Sequence, residues 1–206
     1  MPPTDPIRSE ARERLLATAG RLFYGEGIRA VGVDRLVSEA RVTRATFYRH
    51  FPSKDDLVLA YLRGADAQVR ERVRAAVENA PAPADALRGI ATSIGEDLAR
   101  PEFRGCAFLR AAAEFPDPDD PVHREVGAHR SWFVGALRDL FVEVYRDDDE
   151  GPRPERAARH FLMLRDGAMS AASIDDAGDI GETFRRGVEG LITVVHVPGS
   201  RPHLPV

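Results

Sequence analysis

The sequence contains one cysteine, Cys106, and one lysine, Lys54, among its 206 residues. A single cysteine excludes an internal disulfide and favours a reducing compartment. No stretch approaches the roughly 18 uncharged apolar residues that a membrane span requires. The first residues also lack the apolar core of a secretory signal. We therefore expect a cytoplasmic protein.

Several motifs of catalysis are missing as well. The sequence has no Walker loop, no G-x-S-x-G nucleophile elbow and no H-E-x-x-H zinc motif. Its six histidines do not pair at the spacing of a metal site on a helix. We expect no catalytic residues, no metal and no cofactor, which argues against a helical enzyme.

The prolines divide the chain into segments that favour helices. Proline is excluded from helix interiors and favoured at their first turns, and the segments between the fifteen prolines are rich in Ala, Leu, Arg and Glu. Alternating runs of Val, Ile and Thr, typical of strands, are absent. We predict an all-α fold of about nine helices. The first begins at Pro6 after an Asp5 cap and ends near Gly25, and the others span about 33–40, 44–50, 54–79, 85–100, 102–114, 121–146, 154–174 and 179–197.

Residues 33–50 carry the strongest functional signal, because they predict two short helices joined by a tight turn. With a third helix to brace it, this is the helix-turn-helix arrangement. The first helix turns Leu36, Val37 and Ala40 inward, and the second has Phe47 as its single apolar anchor. The other side chains of the second helix are mostly hydrogen-bond donors, which read base edges and phosphates in a major groove. From these residues alone, a plain polar helical hairpin is an equal alternative.

The charge distribution gives weaker support. Residues 1–63 carry eleven basic and eight acidic side chains, whereas the rest of the chain carries 18 basic and 25 acidic ones. A basic N-terminal third on an acidic body favours a polyanionic partner at one end of the chain. A three-charge excess is also common by chance, so it only supports the motif.

The stretch Val33–Leu57, VDRLVSEARVTRATFYRHFPSKDDL, closely resembles the signature of TetR-family transcriptional regulators. The segment Phe47–Phe51 is its most specific part. The resemblance is strong over about residues 7–62 and continues only as a helical pattern beyond them. It implies an N-terminal three-helix helix-turn-helix DNA-binding domain at residues 1–52. Residues 53–206 would form a C-terminal helical domain for ligand binding and dimerisation.

The resemblance also implies roles for individual residues. The residues that would face base edges are Arg44, Ala45 and Thr46. Those that would hold phosphates are Thr43, Tyr48, His50 and Lys54. The first helix of the motif would meet the DNA backbone at Gly32, Val33 and Arg35, and Arg49 shares the donor-rich face.

One position departs from the family pattern. The turn residue that is often glycine is Arg41 in this chain. If the turn needs a positive φ, arginine there is strained. Either the turn differs slightly, or Arg41 tolerates the strain and adds a phosphate contact.

The second part of the chain is rich in aromatic residues and in glycines within helical patterns, where each glycine costs roughly 1 kcal/mol relative to alanine. We expect an apolar ligand cavity between helices, lined in part by Phe103, Cys106, Phe108, Phe115, Trp132 and Phe161. For any single one of them, ordinary helical core is the simpler explanation. The acidic balance argues against an anionic ligand and permits a neutral or cationic one.

The last two predicted helices carry apolar stripes, formed by Phe161, Leu164, Ala168, Ala172, Phe184, Val188, Leu191 and Val195. The resemblance implies that these residues form a four-helix interface with a second copy, and packing within one chain is the alternative. A single helix-turn-helix buries little DNA surface, so a homodimer on two half-sites is also what affinity favours.

The sequence therefore predicts a DNA-binding transcriptional regulator rather than an enzyme. Its partners would be double-stranded operator DNA, a second copy and a small apolar ligand that releases a repressor from the operator. The alternative is a DNA-binding architectural or protein-controlled factor without a small ligand, which a core without a cavity would favour.

Overall fold

The computed structural model describes residues 6–146 and 153–193, and these ranges form nine α-helices and no strand. The helices are α1 (Pro6–Glu26), α2 (Val33–Glu39), α3 (Arg44–His50), α4 (Lys54–Glu78), α5 (Pro83–Leu98), α6 (Ala107–Glu114), α7 (Pro121–Val144), α8 (Pro154–Ala171) and α9 (Ala177–Thr193). The predicted all-α fold is thus confirmed. The predicted cap Asp5 lies outside the described residues.

Local capping signals fix several helix starts. Thr43 precedes α3 and accepts a hydrogen bond of 3.1 Å from the backbone N–H three residues later. Ser53 and Asp56 form a capping box at the start of α4, with reciprocal side-chain-to-backbone bonds of 3.1 and 2.9 Å. Asp120 accepts a bond of 2.7 Å from the N–H two residues later, at the start of α7. Each of these three caps is a local sequence signal of a helix start.

The start of α6 differs from the prediction. The helix begins at Ala107 and not near residue 102, because Gly105 has a φ of +90° and interrupts the helical path. The segment before it is held by Tyr24, whose hydroxyl donates to the Gly105 carbonyl at 3.0 Å and accepts from the Arg104 N–H at 2.9 Å. A sequence pattern does not reveal such a contact.

The chain forms two compact units, residues 1–71 with 104–130 and residues 72–103 with 131–206. Helices α4 and α7 contribute to both. The functional division at residue 52 that the resemblance implies is a separate matter from this packing, and it stays a prediction.

The first unit packs α1, α2 and α3 around a shared apolar core. Its least accessible side chains include Leu15, Leu22, Phe23, Leu36 and Phe47. Complete burial of such a side chain contributes about 1.5–3 kcal/mol, so the short helices α2 and α3 owe their stability to this core. Tyr61 of α4 meets the Phe23 ring edge-on at 5.7 Å, and burial raises the pKa of Tyr61 to about 12.

The second unit is dominated by the packing of α9 against α5 and α8. Phe161 of α8 contacts Phe184 of α9 edge to face, with ring centroids 5.6 Å apart. Where α5 and α9 cross, a Cβ built on Gly181 would lie 3.6 Å from the backbone of Gly95. The two glycines therefore allow these helices to approach closely.

Candidate nucleic-acid interface

Helices α2 and α3 form a helix-turn-helix that α1 braces. Leu36 of α2, its C-cap Ala40 and Phe47 of α3 are buried, as the apolar pattern predicted, whereas Val37 is only half-buried. Gly32 is the N-cap of α2, with an extended backbone, and Val33 is its half-buried first residue. The anchors of both helices point inward, so their polar side chains are left on the outer surface.

The exposed face of α3 is rich in donors. Its exposed residues, with the cap, are Thr43, Arg44, Ala45, Tyr48 and Arg49, whereas Thr46 and His50 are half-buried. The Thr46 hydroxyl lies 2.9 Å from that of Thr43 and accepts a bond of 3.2 Å from Arg49. The structure thus gathers the predicted residues of α3 in one short helix, while their roles towards DNA stay predictions.

Arg44 is paired with an acidic residue that the sequence reasoning missed. Its Nε lies 2.7 Å from Oδ1 of Asp34, in the first turn of α2, and both side chains are exposed. An exposed pair of this kind contributes at most about 1 kcal/mol. A contact between Arg44 and DNA can therefore replace the pair at little cost.

Arg35 also has acidic partners within the chain. Two of its N–H groups donate to the Glu26 carboxylate at 2.5 and 2.8 Å, and its Nε lies 3.7 Å from Glu39. Glu39 in turn accepts a bond of 2.6 Å from Arg21, and that bond lowers the pKa of Glu39. A contact between Arg35 and the DNA backbone would have to compete with Glu26.

Lys54 lies at the first position of α4 and is half-buried. Its Nζ donates to the carbonyl of Ile28 at 2.6 Å, and burial lowers the pKa of Lys54. An ammonium group has three donors, so the predicted phosphate contact requires one of the other two.

The turn between α2 and α3 has the conformation that the family's glycine suggested. Arg41 has a φ of +52°. Its N–H donates to the carbonyl of Ser38 at 3.1 Å, and the N–H of Val42 donates to that of Val37 at 3.0 Å. The positive φ is therefore a property of this turn, and an arginine adopts it.

Helix α6 is joined to the end of α1 by polar contacts that the sequence did not reveal. The Glu114 carboxylate accepts bonds from the backbone N–H of Ile28, at 2.9 Å, and of Arg29, at 2.6 Å. Arg110, one turn earlier on α6, donates to the Tyr24 carbonyl at 2.7 Å. We call these three hydrogen bonds the α6 bridge. Gly27, directly after α1, has a φ of +97° and starts a turn. The bridge holds the residues of this turn, which lead into α2.

A buried histidine forms a second polar contact in the same unit. Nδ1 of His129, on α7, lies 2.7 Å from Oδ1 of Asp66 on α4, and the His129 ring stacks on Phe108 of α6 at 3.6 Å. Burial raises the pKa of Asp66, but the hydrogen bonds from His129 and Arg70 outweigh it and hold that pKa below its ordinary value. The sequence offered no partner for His129, because the contact spans 63 positions.

The predicted ligand-lining residues are divided between the two units. In the first unit Cys106, Phe108 and Phe115 are buried; in the second, Phe103 and Trp132 are half-buried and Phe161 is buried. Phe108 stacks on His129, and the Arg29 guanidinium lies over the Phe115 ring at 5.1 Å. The ligand role of these six residues stays a prediction.

The predicted dimer residues are mostly interior to the chain. Within the described part, the structure buries Phe161, Ala168, Phe184 and Val188, while Leu164, Ala172 and Leu191 are partly or largely accessible. Val195 lies outside the described residues. The exposed apolar residues of this region are neighbours of the stripe: Met163, with 68% of its surface exposed, and Ile174, with 81%.

The geometry of α1, α2 and α3 defines a helix-turn-helix DNA-binding protein. Residues 15–61 match the family model described as bacterial regulatory proteins, tetR family. The crystal structure of SCO4454, a TetR-family transcriptional regulator from Streptomyces coelicolor, has 52% sequence identity and a TM-score of 0.85, covering 89% of this chain and 95% of that one. The chain therefore belongs to the TetR family of transcriptional regulators.

Two curated relatives are also transcriptional regulators. The transcriptional regulator AcuR of Cereibacter sphaeroides is 29% identical over 88% of this chain and 84% of its own length. The transcriptional activator FasR of Mycolicibacterium smegmatis is 38% identical over 34% of this chain and 39% of its own length. The relatives are regulators and not enzymes, and the family binds operator DNA and forms homodimers.

Within residues 6–146 and 153–193 no three His, Cys, Asp or Glu side chains are arranged to hold a metal ion. None of the helices in these ranges combines the length and the apolar character that a membrane crossing needs.

Proposed function

We propose that the protein is a repressor, a homodimer that binds operator DNA through α2 and α3 and dissociates when a small apolar ligand binds. The proposed release by a ligand rests on the α6 bridge. Through Glu114 and Arg110, a movement of α6 acts on the turn that positions the helix-turn-helix.

The proposed DNA surface is the exposed face of α3 with the start of α2. A major groove admits one helix, and side-chain donors read its base edges. In this proposal Arg44, Ala45 and Thr46 face bases. Phosphates are bound by Thr43, Tyr48, His50 and Lys54, and Arg49 shares the donor-rich face. Gly32, Val33 and Arg35 lie along the DNA backbone.

The proposed release depends on the short reach of hydrogen bonds. The three bonds of the α6 bridge are 2.6–2.9 Å long, and such bonds are lost when the atoms separate much beyond about 3.2 Å. While these bonds are intact, a small displacement of α6 therefore pulls the turn at Ile28 and Arg29 with it. The N-terminus of α2, which follows that turn, then loses its DNA-binding position.

The proposed ligand acts on α6 through its apolar residues. Phe108 and Cys106 are buried side chains of this helix and of its cap, six and eight residues before Glu114. Displacing the Phe108 ring would also disturb its stack on His129. A ligand shifts the equilibrium only by its differential affinity for the two conformers, so DNA must weaken ligand binding by the same factor.

The proposed dimer surface is the outer face of α8. Met163, Leu164 and Ile174 are large apolar residues exposed in the single chain, and Gly167 is exposed one turn after Met163. Contiguous exposed apolar patches mark interfaces, and in this proposal Met163 and Leu164 of α8 form one with Ile174, just beyond its end. A dimer also places two copies of α3 on half-sites one helical turn apart, or a multiple of it.

The proposal is tested with genomic DNA fragments that the purified protein retains. Fluorescence anisotropy should give far tighter binding to the inverted repeat recovered from them than to a scrambled duplex. Neutral and cationic apolar compounds are then screened for release of that duplex. Equal affinity for both duplexes would refute sequence-specific binding, and a complete lack of release would favour the factor without a small ligand.

The sign of regulation needs a separate measurement, because the relative FasR is described as an activator. A reporter gene placed behind the recovered site should be expressed more strongly when the protein is removed. A fall in expression would show that the protein activates transcription from that site.

A further inference from the structure

Arg41 has a backbone conformation that disfavours it. Within the described residues it is the one non-glycine residue with a positive φ, +52°. In this left-handed region a Cβ atom crowds the following carbonyl oxygen, so glycine is favoured there and arginine is not. The turn would therefore be more stable with glycine at position 41.

No contact within the described chain offsets this strain. The Arg41 side chain is exposed, and it has no hydrogen bond, ion pair or ring contact with any residue of the described ranges. The bond from its backbone N–H to Ser38 would form equally well with glycine. The side chain therefore contributes nothing to the folded chain that would explain its presence.

The other basic residues of the surface differ from Arg41. Arg35 is bonded to Glu26, Arg44 to Asp34 and Lys54 to the Ile28 carbonyl, and Arg49 donates to Thr46. Unlike these four residues, Arg41 can donate its guanidinium N–H groups to DNA without breaking a contact within the described chain.

The position and chemistry of Arg41 identify its partner. It lies in the turn that joins α2 to α3, two residues before the cap Thr43. Its guanidinium is always charged and presents a planar set of donors that suits phosphate oxygens. We infer that Arg41 binds a backbone phosphate of the DNA beside the bases that α3 contacts, and that the strained turn is retained for this contact. The inference rests on the proposed DNA surface.

Three substitutions separate charge from strain. Arg41→Gln removes the charge, Arg41→Lys keeps it, and Arg41→Gly removes both charge and strain. Arg74→Gln, at an exposed position of α4, changes the net charge by the same amount and is the matched control. For each protein we would measure the dissociation constant over a salt series, on the recovered inverted repeat and on the scrambled duplex, and the midpoint of denaturation.

Arg41→Gln and Arg41→Gly should weaken binding to both duplexes about tenfold for the dimer, and should reduce the salt slope by about one unit per protomer. Arg41→Lys and the control should keep the wild-type slope. Arg41→Gly should also unfold at a higher denaturant concentration, because the strain is removed. The same substitution would then raise stability and lower affinity.

The outcomes distinguish this inference from the proposed function. If the wild type discriminates between the duplexes and Arg41→Gln keeps its slope and affinity, the inference is wrong and the DNA surface stands. If the wild type does not discriminate, the slopes on the scrambled duplex still decide whether Arg41 contacts phosphate. No binding to either duplex would overturn both.

Discussion

The guanidinium of Arg44, the first residue of the second helix of the motif, lies 2.7 Å from the carboxylate of Asp34, in the first turn of α2. The pair joins the two helices across their exposed edges. It places a negative charge beside a side chain that is proposed to read bases. In the free protein the Arg44 guanidinium is paired with the Asp34 carboxylate, and DNA must compete for the same N–H donors.

The substitution Asp34→Asn should therefore tighten DNA binding. It removes a negative charge near the phosphates and releases Arg44 from a pair worth up to about 1 kcal/mol, which corresponds to as much as about fivefold in affinity per protomer. The operator should gain at least as much as random DNA, because the released Arg44 is proposed to contact bases. Asp139→Asn, which removes an exposed carboxylate of α7 paired with Arg138, should leave the affinity unchanged. Weaker binding by Asp34→Asn would mean that the carboxylate itself contacts DNA.

Glu114→Ala should uncouple α6 from the motif. It leaves the N–H groups of Ile28 and Arg29 without their charged acceptor, so we expect the free energy of unfolding to fall by about 1–3 kcal/mol. A compound that releases wild-type DNA should release this variant poorly. Glu114→Gln keeps one carbonyl oxygen and should be intermediate in both measurements.

The control for this prediction is Glu78→Ala. It breaks an exposed pair with Arg74 on α4 and lies outside the turn before α2. If Glu114→Ala folds, binds DNA and is released as readily as the wild type, then the α6 bridge does not transmit the ligand's effect.

Low pH should reduce the free energy of unfolding, in part because Asp66 becomes protonated. Its pKa is lower in the folded chain than the ordinary value of 3.8, so the folded state favours the carboxylate. The resulting stability is fully present above pH 3.8 and is lost as the pH falls through the lower, folded pKa. Asp66→Asn should cost about 1–3 kcal/mol at pH 7 and progressively less below pH 3.8. Denaturation curves at several pH values check this, and a difference that does not change with pH would show that Asp66 is not the titrating group.

Met163→Glu should convert the dimer to a monomer. The side chain is 68% exposed on the outer face of α8, and a dimer there would bury its new charge without a partner, which is unfavourable. Sedimentation should show half the mass, and operator affinity should fall because one protomer binds one half-site. Val77→Glu, at an exposed apolar residue of α4, is the control. A dimeric Met163→Glu protein would place the interface elsewhere.

The parts of the fold that depend on neighbouring residues were accessible from the sequence. The cap Thr43, the capping box of Ser53 and Asp56, and the start of α7 after Asp120 each involve side chains within a few positions of the backbone that they bind. The turn at position 41 was not decided by the sequence, which left open a different turn or a strained arginine. The φ of +52° at Arg41 shows the second.

The contacts between distant segments were not accessible. Glu114 binds the N–H of a residue 86 positions away, and no pattern in either segment indicates the other. The apolar stripes of α8 and α9 illustrate the same limit. Periodicity identifies the buried face of a helix, but Phe161 and Phe184 could as well have packed against a second chain as against each other.

Whether α3 reads base pairs is decided by competition between DNA duplexes. The wild type and Arg44→Ala are compared for binding to the recovered inverted repeat, to versions with single base-pair changes and to the scrambled duplex. Arg44→Ala should lose about 1–3 kcal/mol of discrimination at particular base pairs, while its affinity for the scrambled duplex changes little. An equal loss of affinity on the operator and on the scrambled duplex would show that Arg44 does not read bases.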